Sequence, residues 1–288
     1  MFNQQKTIGF IGAGNMAGAL IKGLLARDYP CELIWAADPD QVQLQKLGND
    51  TGIHVTATND QVITNVEVVV LAVKPQLINE VLLPLQKTLA QKPVLLISIA
   101  AGISTQSLEV LSSAQQPIIR CMPNTPALVQ AGATALFANQ QTNAEQKQYA
   151  ESIMAAVGTV CWLQNESDLD AVTAVSGSGP AYFFLFIEAL RQAAVEQGLD
   201  AGIANQLALQ TAFGSAKLAL HSAEDVTELR RKVTSPGGTT AAALAQFEKD
   251  NFKAIVARAV TEARKRSEEL AASAHTTLTD NQERVSHE

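Results

Sequence analysis

Residues 7–17 read TIGFIGAGNMA, and the reading of the whole chain turns on them. Ile8 to Ile11 is an apolar run of strand length. Gly12 to Ala17, which follows at once, satisfies the spacing G-x-G-x-x-G/A. Each small residue in that spacing answers a physical need. Gly12 permits a tight turn, Gly14 lets a backbone approach a diphosphate, and Ala17 allows a helix to lie close on a sheet. Ala13, Asn15 and Met16 fill the loop between them, and N–H groups at the start of the following helix point at the phosphates. The same letters occur in ordinary glycine turns of other α/β folds, so the rest of the chain has to supply the context.

Seven further apolar runs follow: ELIWAA, IHVTA, EVVVLAV, PVLLISIA, PIIRCM, ATALFA and TVCWL. Helix-like segments such as 15–27, 76–90 and 144–157 lie between them. Short runs rich in Val and Ile, alternating with helices, predict a parallel sheet covered on both faces. ATALFA and TVCWL extend or edge it. After about 165 the strand pattern stops, and 166–175, 180–198, 201–221, 224–232, 239–249 and 252–270 read as helices. The expected fold is an α/β N-terminal domain, 1–164, with a doubly wound, mainly parallel sheet, then an all-α domain, 165–270, and a disordered tail, 271–288. Within 180–198 the run YFFLFI, Tyr182 to Ile187, is apolar on every side. It reads either as a subunit interface or as a helix buried inside one chain.

The 288 residues are 47% hydrophobic and 17% charged, enough to bury two cores. A net charge of −7 argues against nucleic acid or an anionic membrane as partner, so any anionic ligand needs a local site. The first residues lack the basic and apolar regions of a signal peptide, and no long apolar run spans a membrane. A cytoplasmic location is expected. Cys31, Cys121 and Cys161 read as reduced core residues, and four scattered His offer no metal-ligand spacing, so no metal is expected.

Several polar residues close the apolar runs. Asp38 ends the second, where an acid accepts hydrogen bonds from the adenosine ribose and repels a 2′-phosphate, or else is a solvated turn residue. Lys74 in AVKP is a ligand group or a surface lysine. SIAAG, Ser98 to Gly102, and RCMPNTP, Arg120 to Pro126, also fall where such sheets place ligands. VSGSGPAYFF reads as a capping turn whose Ser176 to Gly179 either touch a ligand or only join two helices. VTSPGGTTAAAL, residues 233–244, holds no charge. Ser235 can cap the next helix with Pro236 in its first turn, and Gly237 and Gly238 leave N–H groups bare beside the hydroxyls of Thr239 and Thr240. That is either a well-capped helix or a docking point for a small anion.

IGAGNMA, AVKP, SIAAG, MPNTPA, VSGSGPAY and the pattern Leu229-x-x-x-Val233-x-SPGGTT together resemble the pyrroline-5-carboxylate reductases, over about residues 6–270. The resemblance implies a Rossmann domain that binds NADPH or NADH and reduction of the cyclic imine 1-pyrroline-5-carboxylate to L-proline. It places Ser235, Gly238, Thr239 and Thr240 on the substrate, with the Thr240 hydroxyl at the ring nitrogen as the catalytic group. On the cofactor it places Gly12, Ala13, Gly14, Asn15, Met16 and Ala17, with Asn59 at the ribose. Ala72, Lys74, Pro75 and Ala100 fall on the cofactor side, and Met122, Asn124, Thr125 and Pro126 on the nicotinamide side. It further implies a homodimer through the helical domain, or a decamer of such dimers.

The chain departs from the family pattern in three places. Asp38-Pro39 stands where many members carry Ser-Pro, so the residue favours NAD while family habit favours NADP. Asp225-Val226 replaces a common His-Pro, and Arg230, Arg231 and Lys232 stand where an acid is frequent. Two other readings use the same loop: a reductase of the β-hydroxyacid dehydrogenase kind and a non-catalytic nucleotide sensor. The first needs a helical-domain lysine, but none lies between Lys147 and Lys217. The second has no need of SPGGTT.

Overall fold

The computed structural model describes residues 5–285, with side chains through residue 272. All eight apolar runs form strands: β1 Ile8–Ile11, β2 Ile34–Ala37, β3 His54–Thr56, β4 Val68–Leu71, β5 Leu95–Ser98, β6 Ile118–Met122, β7 Gly132–Ala138 and β8 Gly158–Trp162. They make one sheet in the order β3-β2-β1-β4-β5-β6-β7-β8. Neighbours are parallel except β6 and β7, which pair antiparallel. Every residue of β1, β4 and β5 is buried, which is why these strands read as unbroken apolar runs and not as alternating ones.

The pleat sends alternate side chains to two separate cores. Ile8, Phe10, Val68 and Val70 pack with α1 (Asn15–Leu25), α2 (Gln41–Thr51) and α7 (Ala144–Ala155). Ile11, Val69 and Leu71 pack on the other face with α3 (Asn59–Asn65), α4 (Ile78–Leu82), α5 (Gln86–Gln91) and α6 (Thr105–Leu111). Each fully buried Leu, Ile or Phe contributes about 1.5–3 kcal/mol, so the two layers carry most of this half's stability. Of the three cysteines only Cys121 is a core residue, and burial pushes its thiol well above the usual range. Cys31 is half-buried. Cys161 is exposed, because β8 is the sheet's edge and pairs on one side only.

Beyond the sheet come α8 (Asp168–Val172), a single π-helical turn Thr173–Gly177, and α9 (Gly179–Glu196), α10 (Ala201–His221), α11 (Val226–Lys232), α12 (Thr239–Lys249) and α13 (Phe252–Val285). By compactness the chain divides into one unit up to Ser178 that also takes α13 from Ala263 onward, and a second unit, Gly179–Glu262. The boundary at 178, later than 164, has a local cause. Glu166 accepts from the Thr105 N–H and hydroxyl, both at 2.7 Å, and from Arg120 Nη1 at 2.5 Å, while Leu169 and Ala174 are buried. The end of α13 joins this unit through the Ser267 hydroxyl, which donates to Asp170 at 2.7 Å. Gly102 faces Ala271, whose Cα would lie 3.4 Å from a Cβ at that position.

Helix α13 does not stop at 270. With no Gly or Pro from Phe252 onward, nothing breaks it, and the helical backbone runs through Val285 where a disordered tail was expected. Residues 286–288 of that tail lie outside the described residues. Within the second unit α9 packs along α10, and the rings of Phe186, Phe247 and Phe252 cluster with centroids 5.4–6.4 Å apart. Phe183, Phe184 and Leu185 stay about two-thirds exposed at 70%, 67% and 67%. The apolar run of α9 is therefore not buried inside one chain. No helix among the described residues is long and apolar enough to cross a membrane.

Candidate active site

Strands β1 to β6 are mutually parallel and deliver their C-terminal ends to one edge of the sheet. The order reverses between β1 and β4, and such reversals open a crevice where ligands bind. Around it stand the loops after β1, β2, β3, β4, β5 and β6, and every residue expected on the cofactor side lies in one of them, at the end of β6, or in the first turn of α1 or α3.

In the first loop two glycines differ in kind. Gly12 has φ +96°, its N–H donates to the Ala37 carbonyl at 2.8 Å, and a Cβ there would lie 2.5 Å from the Ala72 oxygen. The fold itself demands glycine at 12. Gly14 has φ −69° in extended backbone, and a Cβ would meet nothing within 4 Å. Nothing in the fold demands glycine there, whereas a diphosphate pressed on the backbone does. Gly14 is also the N-cap of α1, with no side-chain cap bond and no acid in the first turn, so Asn15 and Met16 open an uncapped helix end. Ala17 is fully buried against the sheet. These features fit a dinucleotide diphosphate.

Asp38 holds this loop in shape. Its Oδ2 accepts from the Ala13 N–H at 2.6 Å and its Oδ1 from the Asp40 N–H at 2.8 Å, while the Gln43 amide donates to the Ala13 carbonyl. Each carboxylate oxygen keeps a further lone pair, so a ribose hydroxyl can share it. Asn59 is the half-buried first residue of α3, with Thr58 as the cap. The Ala72 N–H donates to the Ile11 carbonyl at 2.8 Å, and exposed Lys74 leads into the short turn that starts at Pro75. Ala100 is 4% exposed and packs into the second core, so its methyl is structural.

Met122 ends β6, and Thr125 and Pro126 open a 3₁₀ turn, Thr125–Val129. Asn124 occupies the cap position of that turn but makes no cap bond. Its Oδ1 accepts from the Ala133 N–H at 2.8 Å, and its Nδ2 donates to both the carbonyl and the hydroxyl of Ser176, each at 3.2 Å. Sequence reading missed this use of the side chain, and also Glu166 and Gln43; no local pattern marks any of the three.

The substrate stretch lies in the second unit. The Gly238 N–H donates to the Ser235 carbonyl at 3.0 Å, Pro236 takes the second position, and Gly237 has φ +70°. That is the pattern of a type II turn, not a helix capped by Ser235. The N-cap of α12 is Gly238, again without a side-chain cap bond or an acid in the first turn. Thr239 and Thr240 are its first two residues, so bare N–H groups and two hydroxyls meet at the positive end of a three-turn helix. Two of the three cations just before it are engaged elsewhere. Arg231 pairs with Glu228 and Lys232 with Glu224, while Asp225 caps α11 by accepting from the Thr227 N–H at 2.6 Å.

Residues 166–270 match the family model described as pyrroline-5-carboxylate reductase dimerisation, and residues 7–102 match one described as NADP oxidoreductase, coenzyme F420-dependent. The pyrroline-5-carboxylate reductase of Pseudomonas aeruginosa is 47% identical over 92% of this chain and 96% of its own length. That of Vibrio alginolyticus is 42% identical over 93% and 98%. Among solved structures, the Coxiella burnetii reductase superposes with a TM-score of 0.90 at 42% identity, covering 93% of this chain and 99% of that one. The Plasmodium falciparum enzyme with NADP bound gives 0.81 at 33%, covering 94% and 99%. Strand order, the two glycine-rich turns and near-full-length identity agree: this chain belongs to the pyrroline-5-carboxylate reductase family.

Proposed function

We propose that this chain reduces 1-pyrroline-5-carboxylate to L-proline with NADPH or NADH, the last step of proline biosynthesis. One observation carries the chemistry: two uncapped helix ends without acids in their first turns, one at Gly14 and one at Gly238, in a chain of net charge −7. The first suits the dinucleotide diphosphate and the second a substrate carboxylate. Gly12 to Ala17, Asp38, Asn59, Ala72, Lys74, Pro75, Ala100, Met122, Thr125 and Pro126 line the nucleotide side, and Asn124 stands in the same loop as the last three. Ser235, Gly238, Thr239 and Thr240 take the substrate.

The reaction asks little acid–base work of the protein, because a protonated cyclic imine already accepts hydride. NAD(P)H supplies that hydride when bound. The turn at 235–238 and the first N–H groups of α12 hold the carboxylate, and the Thr240 hydroxyl orients the ring nitrogen and relays a proton from water. The working form is a homodimer through the exposed face of the helical unit, with a decamer as the larger assembly, in the cytoplasm. The Asp38 carboxylate disfavours a 2′-phosphate and so favours NADH, while the family habit favours NADPH, and both nucleotides are used.

An assay with the imine and each reduced nucleotide tests this directly; oxidation of neither nucleotide would end the reading. Thr240→Ala should lower kcat/KM by roughly ten- to a hundredfold, the worth of a hydrogen bond to a charged group, and leave nucleotide affinity unchanged. Unaltered kinetics would remove Thr240 from the mechanism.

A further inference from the structure

The π-helical turn Thr173–Gly177 is the one interruption between α8 and α9, and it is closed by the Ser178 N–H donating to the Thr173 carbonyl at 2.8 Å. A π turn is rare and recurs at functional sites, where groups outside the helix can hold it. Here the outside partner is the loop after β6. Asn124 donates to the Ser176 carbonyl and hydroxyl, and its oxygen is taken by the Ala133 N–H. Beside it the Met122 methyl fills the space next to Gly177, 2.6 Å from where a Cβ would stand. Both Asn124 N–H groups thus go to Ser176 and one lone pair of its Oδ1 to the Ala133 N–H, although Asn124 stands in the loop expected to face the nicotinamide.

We propose that Asn124 is a positioning residue that acts through Ser176: its amide locks the 173–177 turn to the 122–126 loop and does not itself hold the nucleotide. The inference rests on the proposed reductase activity for its kinetic consequence, but the lock itself does not. With the two segments fixed as one body, the nicotinamide-side loop keeps its place against the Ser176 turn. Hydride transfer is sensitive to small errors in such placement, whereas the diphosphate is held elsewhere, at Gly14.

Asn124→Asp separates the roles, since it keeps an acceptor for Ala133 and loses the donors to Ser176. Amide hydrogen exchange of residues 173–178 should then speed up while β4 and β5 exchange as before. In the same protein kcat should fall by about tenfold with nucleotide Kd, read by fluorescence titration, within about twofold of the parent. Unchanged exchange in 173–178 overturns the lock, and a Kd that worsens in step with kcat makes Asn124 a nucleotide ligand instead. Should Asn124→Asp fail to fold, Ser176→Ala removes one of the two acceptors and leaves the Ala133 bond intact. Faster exchange in 173–178 supports the lock there too, and unchanged exchange overturns it. A parent protein that oxidises neither nucleotide sinks the reductase reading, while the exchange data still decide the lock.

Discussion

An alanine at position 12 would drive its Cβ to 2.5 Å from the Ala72 carbonyl, at a φ of +96°; an alanine at position 14 would meet nothing. The two substitutions should therefore fail in different ways. Gly12→Ala carries about 1–2 kcal/mol of left-handed strain plus the clash, and should lower the melting temperature together with nucleotide binding. Gly14→Ala should melt within a few degrees of the parent, because its backbone already suits an L-residue, yet bind nucleotide at least about tenfold more weakly as its methyl meets the diphosphate. Thermal melts beside nucleotide titrations check both, and a Gly14→Ala protein of normal affinity would place the diphosphate elsewhere. The motif was legible at these residues because its spacing is local and the apolar strand just before it supplies the context. Asn124 was not, since its partners lie at Ala133 and Ser176 and only the folded sheet brings them near. Asp38 was half legible: its position after β2 could be read, but its bond to the Ala13 N–H could not.

Among the elements, all eight strands were visible in advance: β1, β4 and β5, parallel and fully buried, leave unbroken apolar runs, and the partly exposed edge strands β3 and β8 still read as short runs rich in β-branched residues. The antiparallel step from β6 to β7 left no such trace, since pairing direction depends on the path of the connection and not on composition. The Ser235–Gly238 turn shows the same limit at short range. Ser-Pro-Gly-Gly suits either a serine-capped helix or a type II turn, and the choice hangs on the sign of φ at Gly237. Gly237→Ala should consequently cost about 1–2 kcal/mol in the turn, raise KM for the imine, and leave nucleotide Kd alone, as parallel kinetics and titration would read. An unaffected KM would mean that the turn does not shape the substrate site. The exposed position of Gly237, with nothing within 4 Å of a built Cβ, keeps the effect local to the backbone.

Taken whole, the molecule carries an apolar helical face that one chain leaves uncovered, in a segment that matches a dimerisation domain. Leu185→Glu, on the part of α9 that is 67% exposed, should cost the single chain little and weaken self-association strongly, because each copy would bring a carboxylate into an apolar contact. Sedimentation velocity should show a shift to smaller species with nucleotide binding retained; an unchanged distribution would take α9 out of the interface. The division into a sheet half and a helical half was legible from where the Val- and Ile-rich runs stop. The return of α13 to the first unit was not, because it depends on Ser267 meeting Asp170 and on Ala271 meeting Gly102.

That return gives vectorial synthesis a particular order. The sheet half leaves the ribosome first, but its last packed piece, α13 from Ala263 onward, emerges only after the entire second unit has been made. A chain stopped before Ala263 would hold every strand and the GAGNMA loop, and yet lack the helix that covers Gly102 beside the nucleotide edge. Completion of the nucleotide-binding half thereby becomes a late event, timed by translation of the helical segment inserted within it.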